Sequence, residues 1–117
     1  MTTTVTVIWE SRFGSERAAE GCEINRRIWA DMRAINGYLD HELLEDVDEP
    51  GHFAVVSHWI SREAADRIRD QYASNPNAIR ANALVIEPRR RFVGKPPLQA
   101  ACAARLIVFQ LALPRRR

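Results

Sequence analysis

Residues His52 to Ile60 form an extended run with apolar side chains on both faces: Phe53, Ala54, Val55 and Val56 are consecutive. A strand of that kind sits in the interior of a layered fold, with both of its faces covered. The rest of the chain must therefore supply strands to flank it and layers to cover it. Thr3 to Ser11 reads as a strand, with Val5, Val7 and Trp9 on one face and Thr4, Thr6, Ile8 and Glu10 on the other. Gly14 and Ser15 break that pattern, and Ser15 is positioned to cap a helix. Over residues 16–35 the helical spacing gathers Ile24, Ile35, Ile28, Met32, Ala18, Trp29 and Cys22 on one side, with Glu16, Glu20, Glu23, Arg26 and Arg27 opposite. Gly21 and Asn25 are the two exceptions inside the apolar side, and Asn36-Gly37 is a helix stop.

Tyr38 to Val47 reads as a second strand, with Leu39, His41 and Leu43 facing one way and Asp40, Glu42 and Leu44 the other. Asp48-Glu49-Pro50-Gly51 is a turn by composition, leading into the central strand. Ser61 caps a helix over 62–73 with the stripe Ala64, Ala65, Ile68 and Tyr72, and Asn75-Pro76 starts a short further helix. Val85 to Val93 reads as the last strand, with Pro88 and Arg89-Arg90-Arg91 marking an edge or an exposed end. The order is β-α-β-β-α-β, the ferredoxin-like α+β arrangement with an antiparallel sheet. Two helices cover one face of a four-stranded sheet. The other face needs a second cover, and a second copy of the chain supplies it, so a homodimer with its sheets face to face is expected.

One domain accounts for 117 residues. We divide the chain into a body, 1–94, and an extension, 95–117, after the break at Gly94-Lys95-Pro96-Pro97. Net charge is +2, yet residues 95–117 hold Lys95, Arg105 and Arg115 to Arg117 with no acid, so they contribute +5 and the body carries −3. A mildly acidic body lacks the basic face that nucleic acid needs. Leu98 to Leu113 is nearly all apolar, but its length is below the roughly 20 residues of a membrane span and Arg105 interrupts it. An extra helix or strand packed on the body or on a partner, or else a poorly ordered extension, is expected there, and no membrane role. Cys22 and Cys102 match no metal or redox spacing, and Met1 to Thr4 has no leader character, so reduced thiols in a cytoplasmic protein are expected. Asp40, Glu42, Glu45, Asp46, Asp48 and Glu49 fall in no metal-ligand register, and no glycine-rich phosphate loop follows the first strand.

The stretch from Asp46 through Trp59 to Ser61, Glu63 and Ala64 resembles the antibiotic biosynthesis monooxygenase family, in which an acidic turn precedes a strand ending in tryptophan and Ser and Glu open the next helix. Val5 to Glu10 and Glu87 to Phe92 are similar to that family too, and the likeness spans residues 4–94. The resemblance implies a dimeric α/β barrel with a pocket between sheet and helices in each subunit. It also implies oxidation of aromatic polyketides or quinols by O₂ with no metal, flavin or haem, the deprotonated substrate itself being the reductant. A haem-degrading branch is similar in fold. It uses an Asn on the first strand, the tryptophan ending the third, and an iron-ligating His about nine or ten positions later. Trp59 fits, but Ile68 or Arg69 stands at the His position and Trp9 lies near the Asn position, so the resemblance argues against haem.

These residues become the candidates. Trp59 is a pocket wall for a flat ring or a core anchor between strand and helix. Asn25, an amide in an apolar stripe, must find hydrogen-bond partners in protein, water or ligand, and is the candidate to orient a substrate oxygen. Gly21 either permits close packing or leaves room for ligand. Among His41, His52 and His58, His41 shares a face with apolar neighbours and is the candidate base, while His52 is expected to be exposed and His58 to point away from Trp59. Trp9, Ile68, Arg69 and Tyr72 complete the expected substrate contacts. The rival to a monooxygenase is a non-catalytic dimer that binds a hydrophobic ligand or assists another enzyme, since no obligatory catalytic dyad is visible.

Overall fold

A computed structural model describes residues 3–97. Most of the extension, with Arg105 and Cys102, lies outside the described residues, and so does the expected tail element. The strands are β1 (Val5–Arg12), β2 (Tyr38–Glu45), β3 (His52–Trp59) and β4 (Arg90–Gly94), in the order β2-β3-β1-β4 and antiparallel throughout. This is the ferredoxin-like α+β order, with β3 in the interior as its two-faced apolar run requires. Helices α1 (Ala18–Met32), α2 (Arg62–Tyr72) and α3 (Pro76–Leu84) provide the helical layer.

The capping chemistry explains where α2 and α3 begin. Ser61 accepts a hydrogen bond from the Ala64 amide at 3.1 Å, and Asn75 accepts one from the Asn77 amide at 2.8 Å ahead of Pro76. The first helix departs from expectation: Ser15–Arg17 is a 3₁₀ turn, Ser15 makes no cap, and the α-helix ends at Met32 instead of Ile35. The last strand is shorter than expected and starts at Arg90. Pro88 has no N–H for a ladder, and residues 85–89 run as a loop whose Ile86 amide donates to the Arg12 carbonyl at 2.8 Å.

Alternation along β3 is strict. Phe53, Val55, Ser57 and Trp59 are at most 2% exposed under the helices, while Ala54, Val56 and His58 occupy the other face. In β2 a register irregularity falls between Tyr38 and Asp40. Tyr38 therefore pairs opposite Trp59 and His41 opposite Ser57, and Leu39 drops out to 47% exposure instead of sharing the inner face with His41 and Leu43.

Gly21 resolves in favour of close packing. A Cβ there would lie 2.6 Å from Cδ1 of Phe13 and 3.0 Å from Cε2 of Phe53, two rings that are 1% exposed and pack edge to face at 5.9 Å. Replacing glycine in a helix with alanine gains about 1 kcal/mol of intrinsic propensity. Overpacking rigid rings costs about 1–3 kcal/mol, so the steric term prevails. Gly21→Ala is expected to lower unfolding free energy in a urea titration; an unchanged or raised midpoint would show that α1 can lift away from the rings freely.

Candidate functional site

A cavity of about 670 Å³ opens between the helical layer and the sheet. Strand β1 contributes Val7, Trp9 and Ser11, β3 contributes Trp59, and α1 contributes Asn25, Ile28, Trp29 and Met32. Ala65, Ile68, Arg69 and Tyr72 enter from α2, and Asn82, the 85–89 loop and Arg91 close the remaining side. All three tryptophans of the chain line it.

Of the residues singled out from sequence, Trp59, Asn25, Trp9, Ile68, Arg69 and Tyr72 come together around this cavity. Trp59 is 2% exposed, and its indole N–H donates to Ser57 Oγ at 3.0 Å, which in turn donates to the Val7 carbonyl at 3.1 Å. Its polar atom is thus satisfied inside the sheet, and only ring surface is left for a ligand. Asn25, 6% exposed, makes one hydrogen bond among the described residues, from Nδ2 to the Gly21 carbonyl at 3.1 Å. A primary amide has two donors and a carbonyl acceptor, so most of its capacity stays free on a cavity wall. The Tyr72 hydroxyl donates to Asp31 at 2.7 Å; burial and that carboxylate push its pKa up to about 12.

His41 is inward but does not line the cavity. Its ring packs 5.2 Å from that of Trp29, which does, and its Nδ1 shares a hydrogen bond with the Tyr38 hydroxyl at 2.7 Å. Burial, reinforced by the charge of Arg33, lowers its pKa, so it is neutral at pH 7. His58 points away from the cavity toward Asp40, 2.5 Å from Nδ1.

Sequence reasoning missed Trp29, Asn82, Arg89 and Arg91. The two arginines belong to a run read as an exposed end, yet only Arg90 is turned out. Arg91 pairs across from Trp9 in the β1–β4 ladder, and its side chain is 13% exposed. Its Nη2 donates to Asp66 at 2.8 Å, while its Nε is buried with no partner among the described residues. The Arg89 guanidinium lies 4.7 Å above the Trp9 ring and donates from Nε to Asn82 Oδ1 at 2.8 Å. The parity that Arg89 and Arg91 share with Val93 was the available signal.

The sequence profile of the antibiotic biosynthesis monooxygenase family matches residues 4–73. The chain belongs to the antibiotic biosynthesis monooxygenase family. A variant of SnoaB, a cofactor-independent oxygenase from Streptomyces nogalater, superposes with a TM-score of 0.70 at 20% identity, covering 85% of this chain and 98% of the other. Rv0793 from Mycobacterium tuberculosis gives 0.65 at 20% identity over 84% and 99% of the two chains. A conserved protein from Methanosarcina mazei gives 0.66 at 9% identity over 82% and 95%. These likenesses establish the shared fold. No curated protein matches the sequence.

Within this family a haem ligand can be tested against the donor set. Ile68 and Arg69 both line the cavity, and the described lining contains no imidazole, so the His that the haem-degrading branch uses has no counterpart. No helix among the described residues is long and apolar enough to cross a membrane.

Outside the cavity, two expectations need correction. His52 is not exposed: its side chain is 15% accessible, with Asp46 Oδ2 2.8 Å from Nδ1 and Glu10 Oε2 2.5 Å from Nε2. The acids of the turn also come into ligand-like register, since Asp46, Glu49 and His52 place donor atoms within 4.8 Å of one another. Arg12, 3.1 Å from Glu49 and 2.8 Å from Glu87, already supplies a cation to this cluster. Burial alone would lower the His52 pKa, but hydrogen bonds to Asp46 and Glu10 outweigh it and raise the pKa above the ordinary 6.5. His52 therefore binds its proton more tightly folded than unfolded. Its contribution to stability is complete below pH 6.5 and is lost as pH rises through the folded-state pKa. The stability difference between wild type and His52→Gln, read from urea titrations at about pH 6 to 9, is expected to shrink with rising pH. A difference that grows over that range would contradict the bridging role.

Proposed function

We propose that this protein is a cofactor-independent monooxygenase that oxidises a flat phenolic or hydroquinone-like aromatic with O₂, and that it works as a homodimer. The observation that carries the reading is the cavity itself: three tryptophan rings wall it, and a buried amide, Asn25, reaches it with most of its hydrogen-bonding capacity unspent. Family membership and the fold shared with a cofactor-independent oxygenase support it. In the proposed chemistry an activated methylene beside a phenol becomes a carbonyl. One oxygen atom of O₂ enters the carbon and the other leaves as water, so the substrate supplies all four electrons and no external reductant is required. Asn25 orients the substrate oxygen, Trp59 and Trp9 bound the ring, and Ile68 and Tyr72 close the α2 side. His41 stands behind Trp29, so we assign it to holding that ring in place instead of to proton removal. Ionisation of the phenol is then favoured by the Asn25 amide, whose second N–H donates to the phenolate as it forms.

The dimer is supported by the open sheet face. Val56, Ile8 and Phe92 stand side by side there, Phe92 is 63% exposed, and Leu44 in the neighbouring row is 44% exposed. Phe92→Glu is expected to convert a dimer to a monomer in size-exclusion chromatography with light scattering; a monomeric wild type at micromolar concentration would remove the homodimer from the proposal.

Oxygen uptake by the purified protein, measured with hydroquinones and anthrone-like polyphenols and no added cofactor, tests the activity. Asn25→Ala is expected to reduce turnover by about tenfold to a hundredfold, the effect of losing one hydrogen bond to a charged oxygen. Trp59→Phe keeps the core filled and is expected to lower turnover as well. Tyr72→Phe, whose hydroxyl Asp31 already occupies, should stay within about threefold of wild type. No uptake across the panel by a folded dimer would favour a ligand-binding or accessory role, and full activity in both Asn25→Ala and Trp59→Phe would remove them from the site.

A further inference from the structure

Arg89 is the one charged group of the cavity wall without an ion-pair partner among the described residues. Among the described residues no carboxylate comes within ion-pair distance of it, and its only hydrogen bond is the one from Nε to the Asn82 amide oxygen. The other charged lining groups are compensated: Arg69 pairs with Asp70 at 2.9 Å, Glu87 with Arg12 at 2.8 Å, and Arg91 with Asp66 at 2.8 Å. Arg91 is nevertheless incompletely satisfied, because its buried Nε has no partner. Both guanidiniums stand over one ring, with the Trp9 centroid 4.7 Å from Arg89 Cζ and 5.8 Å from Arg91 Cζ. The Nη groups of Arg89 are therefore the donors left over, on a guanidinium held over an aromatic ring.

We propose that the cavity takes an aromatic substrate bearing an ionised carboxylate, which Arg89 and Arg91 receive at the Trp9 end. The inference rests on reading this cavity as the substrate site, and it deepens that reading by adding a permanent charge to the substrate. A neutral quinol seated against Trp9 would strip the remaining water from an unpaired guanidinium, which is costly because arginine does not shed its proton. Burial already disfavours the charged form of Arg89. A carboxylate reverses that penalty: its two oxygens match the arginine fork and supply the missing counter-charge. Its position is also specific. The acid group would lie at the β1–β4 end of the cavity, leaving the ring to extend toward Trp59 and Asn25.

The test is an anaerobic equilibrium titration read by tryptophan fluorescence, so it does not depend on turnover. The probes are 1-hydroxy-2-naphthoate and its neutral analogue 1-hydroxy-2-naphthamide, matched in ring and phenol. Wild type is expected to bind the acid at least about tenfold more tightly than the amide, in keeping with charge-assisted hydrogen bonds. Arg89→Gln should bring the two affinities within about threefold by weakening the acid alone. Arg91→Gln should narrow the gap in the same direction. Equal affinity of wild type for acid and amide overturns the proposal without recourse to any variant, as does an acid preference that survives both substitutions. If the acid preference holds but no tested compound supports oxygen uptake, the oxidation reading falls and the anion subsite stands; uptake without acid preference gives the reverse.

Discussion

The approach of α1 to the sheet at Gly21 sets the dimensions of everything around it. With no side chain at this position, the helix backbone rests on the Phe13 and Phe53 rings at a distance that a Cβ would violate. From one turn later the same helix lines open space, with Asn25, Ile28, Trp29 and Met32 on the cavity wall and the Trp29 ring reaching His41 of β2. The close contact near the start of α1 thus fixes one end of the helix against the sheet, and a cavity opens beneath its later turns. The Gly21 carbonyl serves a second purpose, because it accepts a hydrogen bond from one N–H of the Asn25 amide and so fixes which of its polar atoms remain for a ligand.

Two buried polar residues divide differently between structure and function, and the difference lies in their partners. Ser57 is wholly buried and fully used, accepting from Trp59 and donating to Val7, so it ties β1 to β3 beneath the cavity floor. Removing either partner would strand the other, the costly outcome for a buried group. Asn25 is nearly as buried but has one protein hydrogen bond where it could have several. A buried amide in that condition is tolerable only because it borders open space, where water or ligand completes its shell. The same comparison separates Tyr72, whose hydroxyl is committed to Asp31, from Arg89, whose charge meets no carboxylate among the described residues.

The fold was legible in the chain because its signals are local and agree with one another. Period-two alternation placed β1 and β3, and Ser61 and Asn75-Pro76 marked two helix starts through side-chain geometry that needs no tertiary context. The misreadings share a cause: each is a change of phase that alternation alone does not reveal. The irregularity near Leu39 swaps Tyr38 for Leu39 on the inner face of β2, and the loop at Pro88 ends what looked like one continuous strand. His41 was correctly turned inward, but a strand pattern carries no information on depth, and Trp29 occupies the space between it and a ligand's reach. His52 followed a turn and looked exposed, because the carboxylates that enclose it come from Glu10, forty-two residues earlier, as well as from the turn itself. The arginine run was the most misleading feature, since consecutive charges read as a solvated edge even though an edge strand still has an inner face.

That inner face changes how the family likeness should be used. The fold provides a sheet, a helical layer and a cavity between them, and these say nothing of what the cavity discriminates. Discrimination comes from the wall, and here the described wall contains three arginines, aromatic rings, amides and one carboxylate, Glu87, paired with Arg12, but no imidazole. A wall without an imidazole acts on a bound ligand chiefly through its fixed charges and hydrogen-bond donors. Positive groups held over a ring favour whichever form of the ligand is already negative. Placing Arg89 there depends on Pro88, which denies the chain a ladder bond and leaves residues 85–89 as a loop against the cavity. The residue that shortens the last strand is therefore also the one that lets a charge of the sheet edge be spent inside.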